Sequence, residues 1–251
     1  LIKTNKQKII NNLENFSPYD YDIFDDQVFY RPYNGKIVRA VDFELSRGCI
    51  YSCSYCVETI IQNYYGFTEY SKKSGAISNF KSYLRNKSAQ TIFDEIKYLY
   101  YKKNINLIRC QDTNFLTNDK KVLIELAELF EKNPMKIKLY IETRPDGINE
   151  KTIQLLKKLN VDGIGMGIEL ASEQYRENEL NRFADQSKII SAFDLLKKNN
   201  IKRTSYNVLG FPNQTEDEII ETIEFNKVLK PDNISVVFYS PYYGTGQHKE
   251  G

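Results

Sequence analysis

From Val41 onward the chain repeats one unit, a short apolar or alternating run followed by an amphipathic helical stretch. The strand candidates are Val41–Leu45, Ile105–Cys110, Ile137–Glu142, Gly163–Ile168, Thr204–Leu209 and Ile234–Tyr239. Between them lie helix candidates at Gln90–Lys103, Asp119–Lys132, Asn149–Leu159, Gln186–Asn199 and Glu216–Leu229. Asn118 and Thr215 read as N-caps, and Glu218 completes a capping box with Thr215. Six strands alternating with helices imply an α/β fold with a parallel sheet and right-handed crossovers. Two closures fit, a doubly wound open sheet and a barrel-like sheet. In both, functional loops follow the carboxyl ends of the strands.

Residues 1–40 lack this rhythm. They read as an N-terminal extension or linker, with a short helix over Thr4–Asn15 and turns at Ser17-Pro18-Tyr19-Asp20 and Arg31-Pro32-Tyr33-Asn34-Gly35. An appended hairpin without a core of its own is the expected form, and residues 41–251 form the core domain. The chain starts without Met and stops after the Gly-rich Tyr243-Gly244-Thr245-Gly246-Gln247, so we expect a piece of a longer protein.

The rare residues restrict the chemistry. One His and four Cys in 251 residues exclude a disulfide scaffold, a metal site built on two or three His, and a Cys₂His₂ finger. Lys+Arg 35 against Asp+Glu 33 leaves +2, which argues against a nucleic-acid or membrane partner. No apolar run approaches the ~20 residues of a membrane span. Nineteen Tyr without a basic groove read as ordinary packing, and the abundant Asn as background composition.

The loop after the first strand reads Ser46-Arg47-Gly48-Cys49-Ile50-Tyr51-Ser52-Cys53-Ser54-Tyr55-Cys56, a C-x3-C-x2-C spacing. Three thiolates within eight residues can wrap one inorganic core. Four would fill a [4Fe–4S] cluster, whereas three leave one iron open. Two other readings stand beside this one. Cys110 could complete a Cys₄ zinc site, making the loop a non-catalytic zinc or iron–sulfur module for structure or electron transfer; or the thiols are buried and inert. Cys110 itself reads as a small core residue on the second strand. At the end of the third strand, Glu142 and Arg144 can point the same way, Arg144 either binding an anion or pairing with Glu142. Glu169, closing the glycine-rich fourth strand, is costly unless paired.

The cysteine loop resembles the signature of radical S-adenosylmethionine (SAM) proteins, in which an aromatic residue, here Tyr55, precedes the third Cys. The approach Ser46-Arg47-Gly48-Cys49 resembles the branch whose members often carry a cobalamin-binding domain ahead of the radical SAM domain, although Ile50 stands where many have Pro. The likeness spans about residues 40–245. It implies a partial (β/α)₆ TIM-like barrel, a [4Fe–4S] cluster on Cys49, Cys53 and Cys56, and SAM on the open iron, cleaved reductively to a 5′-deoxyadenosyl radical. Tyr55 would then lie against the cofactors, and Gln111, Asp112 and Thr113 would take the amino group of SAM. Arg144 would bind the SAM carboxylate or a substrate anion. Glu169 would meet ribose or ammonium, and Arg182 the carboxylate. Leu209 and Gly210 would lie by the adenine, and Tyr242 in the closing segment. The resemblance further implies an electron donor such as flavodoxin or ferredoxin, a small-molecule or peptide substrate, a reducing cytoplasm, and methyl transfer if cobalamin is bound by a domain outside this chain.

Overall fold

A computed structural model describes residues 8–248. Nine strands are present among them: Tyr30–Tyr33 (β1), Lys36–Phe43 (β2), Ser46–Arg47 (β3), Arg85–Asn86 (β4), Leu107–Cys110 (β5), Lys138–Thr143 (β6), Val161–Glu169 (β7), Lys202–Leu209 (β8) and Asn233–Phe238 (β9). The helices are Val57–Tyr65 (α1), Ala89–Lys103 (α2), Lys120–Lys132 (α3), Glu150–Lys158 (α4), Glu173–Asn178 (α5), Gln186–Lys198 (α6) and Glu216–Leu229 (α7). The main sheet runs β1-β2-β5-β6-β7-β8-β9. Every neighbouring pair from β2 to β9 is parallel, and only β1 is antiparallel to β2. All six expected core strands are therefore present in an open, curled sheet, the partial barrel expected from the sequence.

The pleat separates two chemistries. Val41, Phe43, Ile108, Leu139, Ile141, Ile164, Met166 and Ile168 face the helices and join Ile92, Phe93, Leu126, Phe130, Leu156, Phe193 and Leu196 in one core. Cys110 belongs to that core, fully buried. Asp42, Arg109, Tyr140, Glu142 and Tyr206 occupy the alternate positions on the other face, so that face is polar. At the far edge, Ile234, Val236, Val237 and Phe238 of β9 are exposed.

Helix ends follow local chemistry. The Thr215–Glu218 capping box forms as expected. Asn118 does not cap α3; Asp119 does, while Asn118 turns inward to Asp112 and the Phe115 carbonyl. The abundant Asn has a structural use: among the described residues, seven of the nine non-glycine positions with positive φ are Asn, at 34, 79, 104, 160, 181, 200 and 213. Asn tolerates this left-handed region better than other side-chain-bearing residues, so it ends helices and makes turns cheaply. Of the expected Thr4–Asn15 helix, residues 4–7 lie outside the described residues, and 8–15 form only a 3₁₀ turn at Leu13–Asn15.

The extension is bound to the sheet. Asn34-Gly35, with φ of 50° and 74°, makes the two-residue turn from β1 into β2. Residue 40 lies within β2, and Phe29 enters the main core. Tyr21 donates to the Asp42 carbonyl, and Tyr19 joins Glu44 and Arg47 beside the cysteine loop.

Beyond β7 the chain doubles back around Arg176, which is fully buried. Its guanidinium donates to the carbonyls of Leu170, Ala171 and Ala184, holding both ends of the segment that delivers Arg182. Arg176→Met would strand the buried carbonyls of Leu170 and Ala184, while that of Ala171 keeps the Gln186 side chain. We expect a loss of about 3 kcal/mol in urea-monitored unfolding, since each unpartnered buried acceptor costs about 1–3 kcal/mol.

Candidate active site

The cysteine loop is held by its backbone. Ser52 N–H donates to the Gly75 carbonyl at 2.8 Å, and Asn181 Nδ2 donates to the Ser52 carbonyl at 2.7 Å. Ser54 N–H reaches the Leu180 carbonyl at 3.1 Å. Thr59 donates to the Cys53 carbonyl at 2.7 Å, and Thr113 to the Gly48 carbonyl at 3.1 Å. Glu58 and Gln62 of α1 bind the backbone of Cys49. The loop is thus ordered by side chains from its own helix, from the β5 loop and from the segment after β7.

Cys49, Cys53 and Cys56 open onto a cavity of about 180 Å³ at the carboxyl end of the sheet. Tyr51, Tyr55, Thr113, Asn114, Glu142, Thr143, Arg144, Glu169, Arg182 and Tyr206 complete its walls with two glycines of β7. Burial pushes the Cys49 thiol up to about 12 and the Cys56 thiol to about 11. The loop therefore holds these thiols protonated, and a metal would displace their protons on binding. Among the described residues no three His, Cys, Asp or Glu side chains converge as ligands of a single metal ion. Three thiols on one loop suit a multi-iron core, where each thiolate takes a different iron. Cys110 packs in the core behind the sheet and cannot serve as a fourth ligand without leaving it.

The Glu142–Arg144 pair, one of the two readings of this strand end, does not form. Arg144 instead donates to Asp146 at 3.0 and 3.1 Å and to the Phe183 carbonyl at 2.6 Å. The ring of Tyr51 lies over its guanidinium, 3.9 Å from Cζ to the centroid. Nη1 is buried with no partner, an unused donor among cavity-lining residues. Glu142 accepts from Tyr206 at 3.0 Å, and the Tyr206 and Tyr140 hydroxyls meet at 2.8 Å. Burial raises the Glu142 carboxyl above its ordinary range.

Glu169 takes a left-handed conformation, φ +64°, which a residue with a side chain adopts at a cost. Its Oε1 stands 3.4 Å from Arg182 Nη2, which also donates to the Gly167 carbonyl at 2.5 Å. A Cβ at Gly167 would overlap both partners. Tyr55 packs edge-on against Phe211, and Phe211 on Tyr239, forming an apolar patch beside the cavity.

Of the residues singled out from sequence, Cys49, Cys53, Cys56, Tyr55, Thr113, Arg144, Glu169 and Arg182 meet in this cavity. Gln111, Asp112, Leu209, Gly210 and Tyr242 do not line it. Gln111 donates to Asp42. The Asp112 carboxylate is buried and turned away, accepting from Leu45 N–H, Ser46 and Asn118. Gly210 N–H is held by Gln214, and Tyr242 is exposed. The sequence reading passed over Glu58, Gln62, Asn181 and Tyr206. Only Glu58 and Gln62 left a signal, two polar residues one helical turn apart just after the third Cys.

A model of the Radical SAM superfamily matches residues 43–225. The chain is 25% identical over 200 residues to an uncharacterized methyltransferase, PH0819, of Pyrococcus horikoshii, covering 80% of this chain and 39% of that protein. It is 23% identical over 245 residues to the anaerobic magnesium-protoporphyrin IX monomethyl ester cyclase of Rubrivivax gelatinosus, covering 96% of this chain and 40% of that protein. The chain thus spans about two fifths of the length of these curated relatives. Its fold is similar to the radical S-adenosylmethionine methyltransferase TsrM of Kitasatospora setae, solved with cobalamin and a [4Fe-4S] cluster bound. The TM-score is 0.64 at 14% identity, over 80% of this chain and 34% of that one.

Gly165 gives the cavity its shape, because a Cβ there would overlap the Tyr206 ring. Gly165→Ala should cost about 1–3 kcal/mol in urea unfolding, the usual range for overpacking. In a Tyr206→Ala background the same change should cost much less, because the two sites share one space.

Proposed function

The chain belongs to the radical SAM superfamily, and on that premise we propose that it is a radical SAM enzyme whose cluster ligands are Cys49, Cys53 and Cys56. The observation that carries this reading is the cavity that gathers three thiols, the unpartnered Arg144 Nη1 and the Glu169–Arg182 pair. Three thiols on one loop, with no fourth Cys in the cavity among the described residues, suit a [4Fe–4S] cluster with one iron left for SAM. When bound, the cluster and SAM together supply a 5′-deoxyadenosyl radical by one-electron reductive cleavage.

The chain's own residues bind and orient. Arg144 offers Nη1 to a carboxylate, its other donors being taken by Asp146 and Phe183. Glu169 and Arg182 hold each other in register at the end of β7, leaving a fixed acid for ammonium or ribose hydroxyl groups. Thr113, in the cavity wall, would receive the amino group. Tyr55, with Phe211 and Tyr239 behind it, would keep water from bound SAM. Leu209, Gly210 and Tyr242 would reach SAM only through its adenine end, and Gln111 and Asp112 serve chiefly by shaping the β5 loop.

Residues 41–251 form the radical SAM core domain in this reading, and residues 1–40 an extension that braces the cysteine loop through Tyr19. The relatives favour methyl transfer, with cobalamin supplied by a domain outside this chain. Among the described residues no helix is long and apolar enough to cross a membrane. Thiolate-bound iron and the need for a reductant favour a reducing cytoplasm, with a flavodoxin or ferredoxin as donor and a small molecule or peptide as substrate.

Anaerobic reconstitution with iron and sulfide, then dithionite and SAM, should yield 5′-deoxyadenosine by mass spectrometry. Absence of that product, with zinc bound instead of iron, would falsify the reading. Cys53→Ala should lose the cluster. Arg144→Met should keep it but weaken SAM binding about tenfold or more, in line with the ~1.5–3 kcal/mol of a hydrogen bond to a charged group.

A further inference from the structure

Helix α1 begins one residue after Cys56 and leans back over the loop it terminates. Glu58 and Gln62 share one face, a turn apart. Glu58 Oε1 accepts from Cys49 N–H at 3.1 Å and from the Tyr83 hydroxyl at 2.5 Å. Gln62, fully buried, donates Nε2 to the Cys49 carbonyl at 2.8 Å and the Tyr51 carbonyl at 3.0 Å. Both backbone groups of Cys49 are therefore fixed from α1. Gly48 presses the loop onto Tyr83: its φ is +99°, and a Cβ there would stand 2.8 Å from the Tyr83 carbonyl oxygen.

A neutral acceptor would satisfy Cys49 N–H equally well. A carboxylate in that place puts a negative charge beside a cysteine, hydrogen-bonded to its backbone. Reduction adds an electron to a thiolate-bound cluster that is already anionic. A fixed negative charge against one ligand opposes that electron, and groups around the ligands are a known lever on potential. Tyr83 donates to the same carboxylate oxygen and draws part of its charge away from Cys49.

We propose that Glu58 is a positioning residue that sets the Cys49 end of the cluster loop and lowers the cluster's reduction potential, with Tyr83 tempering its charge. The inference rests on the ligand assignment above, and the experiment separates the two. The chain is reconstituted anaerobically without SAM, and its cluster is titrated potentiometrically against dithionite with EPR detection. Glu58→Gln keeps an oxygen acceptor for Cys49 N–H but removes the charge. It should retain wild-type iron and sulfide content and show a more positive midpoint. Tyr83→Phe removes the tempering donor and should shift the midpoint more negative. A cluster-loaded Glu58→Gln variant with the wild-type midpoint overturns the proposal, as does a Tyr83→Phe midpoint that stays put or rises. If Glu58→Gln loses its cluster, Tyr83→Phe decides alone. A wild-type chain that takes up no cluster overturns the ligand assignment, and this inference with it.

Discussion

The carboxyl end of the sheet depends on one strand carrying glycine at three alternate positions. Gly163, Gly165 and Gly167 of β7 alternate with Ile164, Met166 and Ile168, which anchor the strand in the helical core. Each glycine leaves a space that a distant residue fills. Tyr33 and Tyr140 occupy the space over Gly163, where a Cβ would meet the Tyr33 hydroxyl at 2.6 Å. Tyr206 crosses over Gly165 to reach Glu142 on the strand beyond. The Glu169–Arg182 pair fills the space over Gly167. A single methyl group at any of these positions would displace a side chain of the cavity or the hairpin beneath it.

The second constraint is the backbone of the cysteine loop. An irregular loop at the end of a parallel strand exposes donors and acceptors that the sheet cannot satisfy. Here α1 takes those at Cys49, Tyr51 and Cys53, and the segment after β7 takes those at Ser52 and Ser54. That segment is itself closed on Arg176, so one buried guanidinium supports both Arg182 and the loop facing it. Rigidity at the thiols and rigidity at Arg182 thus share one support. Such shared support is what positioning a cofactor and a reactive ligand in line demands.

Much of this was legible in the sequence because it is locally encoded. A hydrophobic period of two followed by one of 3.6 marks strand and helix without knowledge of the fold, and all six core strands lie where that period put them. Thr113, Arg144 and Glu169, marked by polar strand ends, and Arg182, marked by the family resemblance, line one cavity with the thiols. Asp112 was misleading because a carboxylate after a strand looks the same whether it faces a cavity or folds under the loop to collect Leu45, Ser46 and Asn118. Arg144 and Glu142 looked like partners by spacing, yet Asp146 lies closer along the bend that Pro145 imposes.

The parallel α/β class, the three-thiol loop at the end of the first core strand, and the division of the four Cys into three and one can be read from the amino-acid sequence alone. These are matters of periodicity and spacing, set by neighbours within a few residues. Only the tertiary structure decided which side chains complete the cavity and what holds it. Tyr33 binds Asp162 and Asn181 binds Ser52, each across 129 positions of chain. No local pattern announces such a contact, because its free energy is realised only when the sheet has brought both ends together.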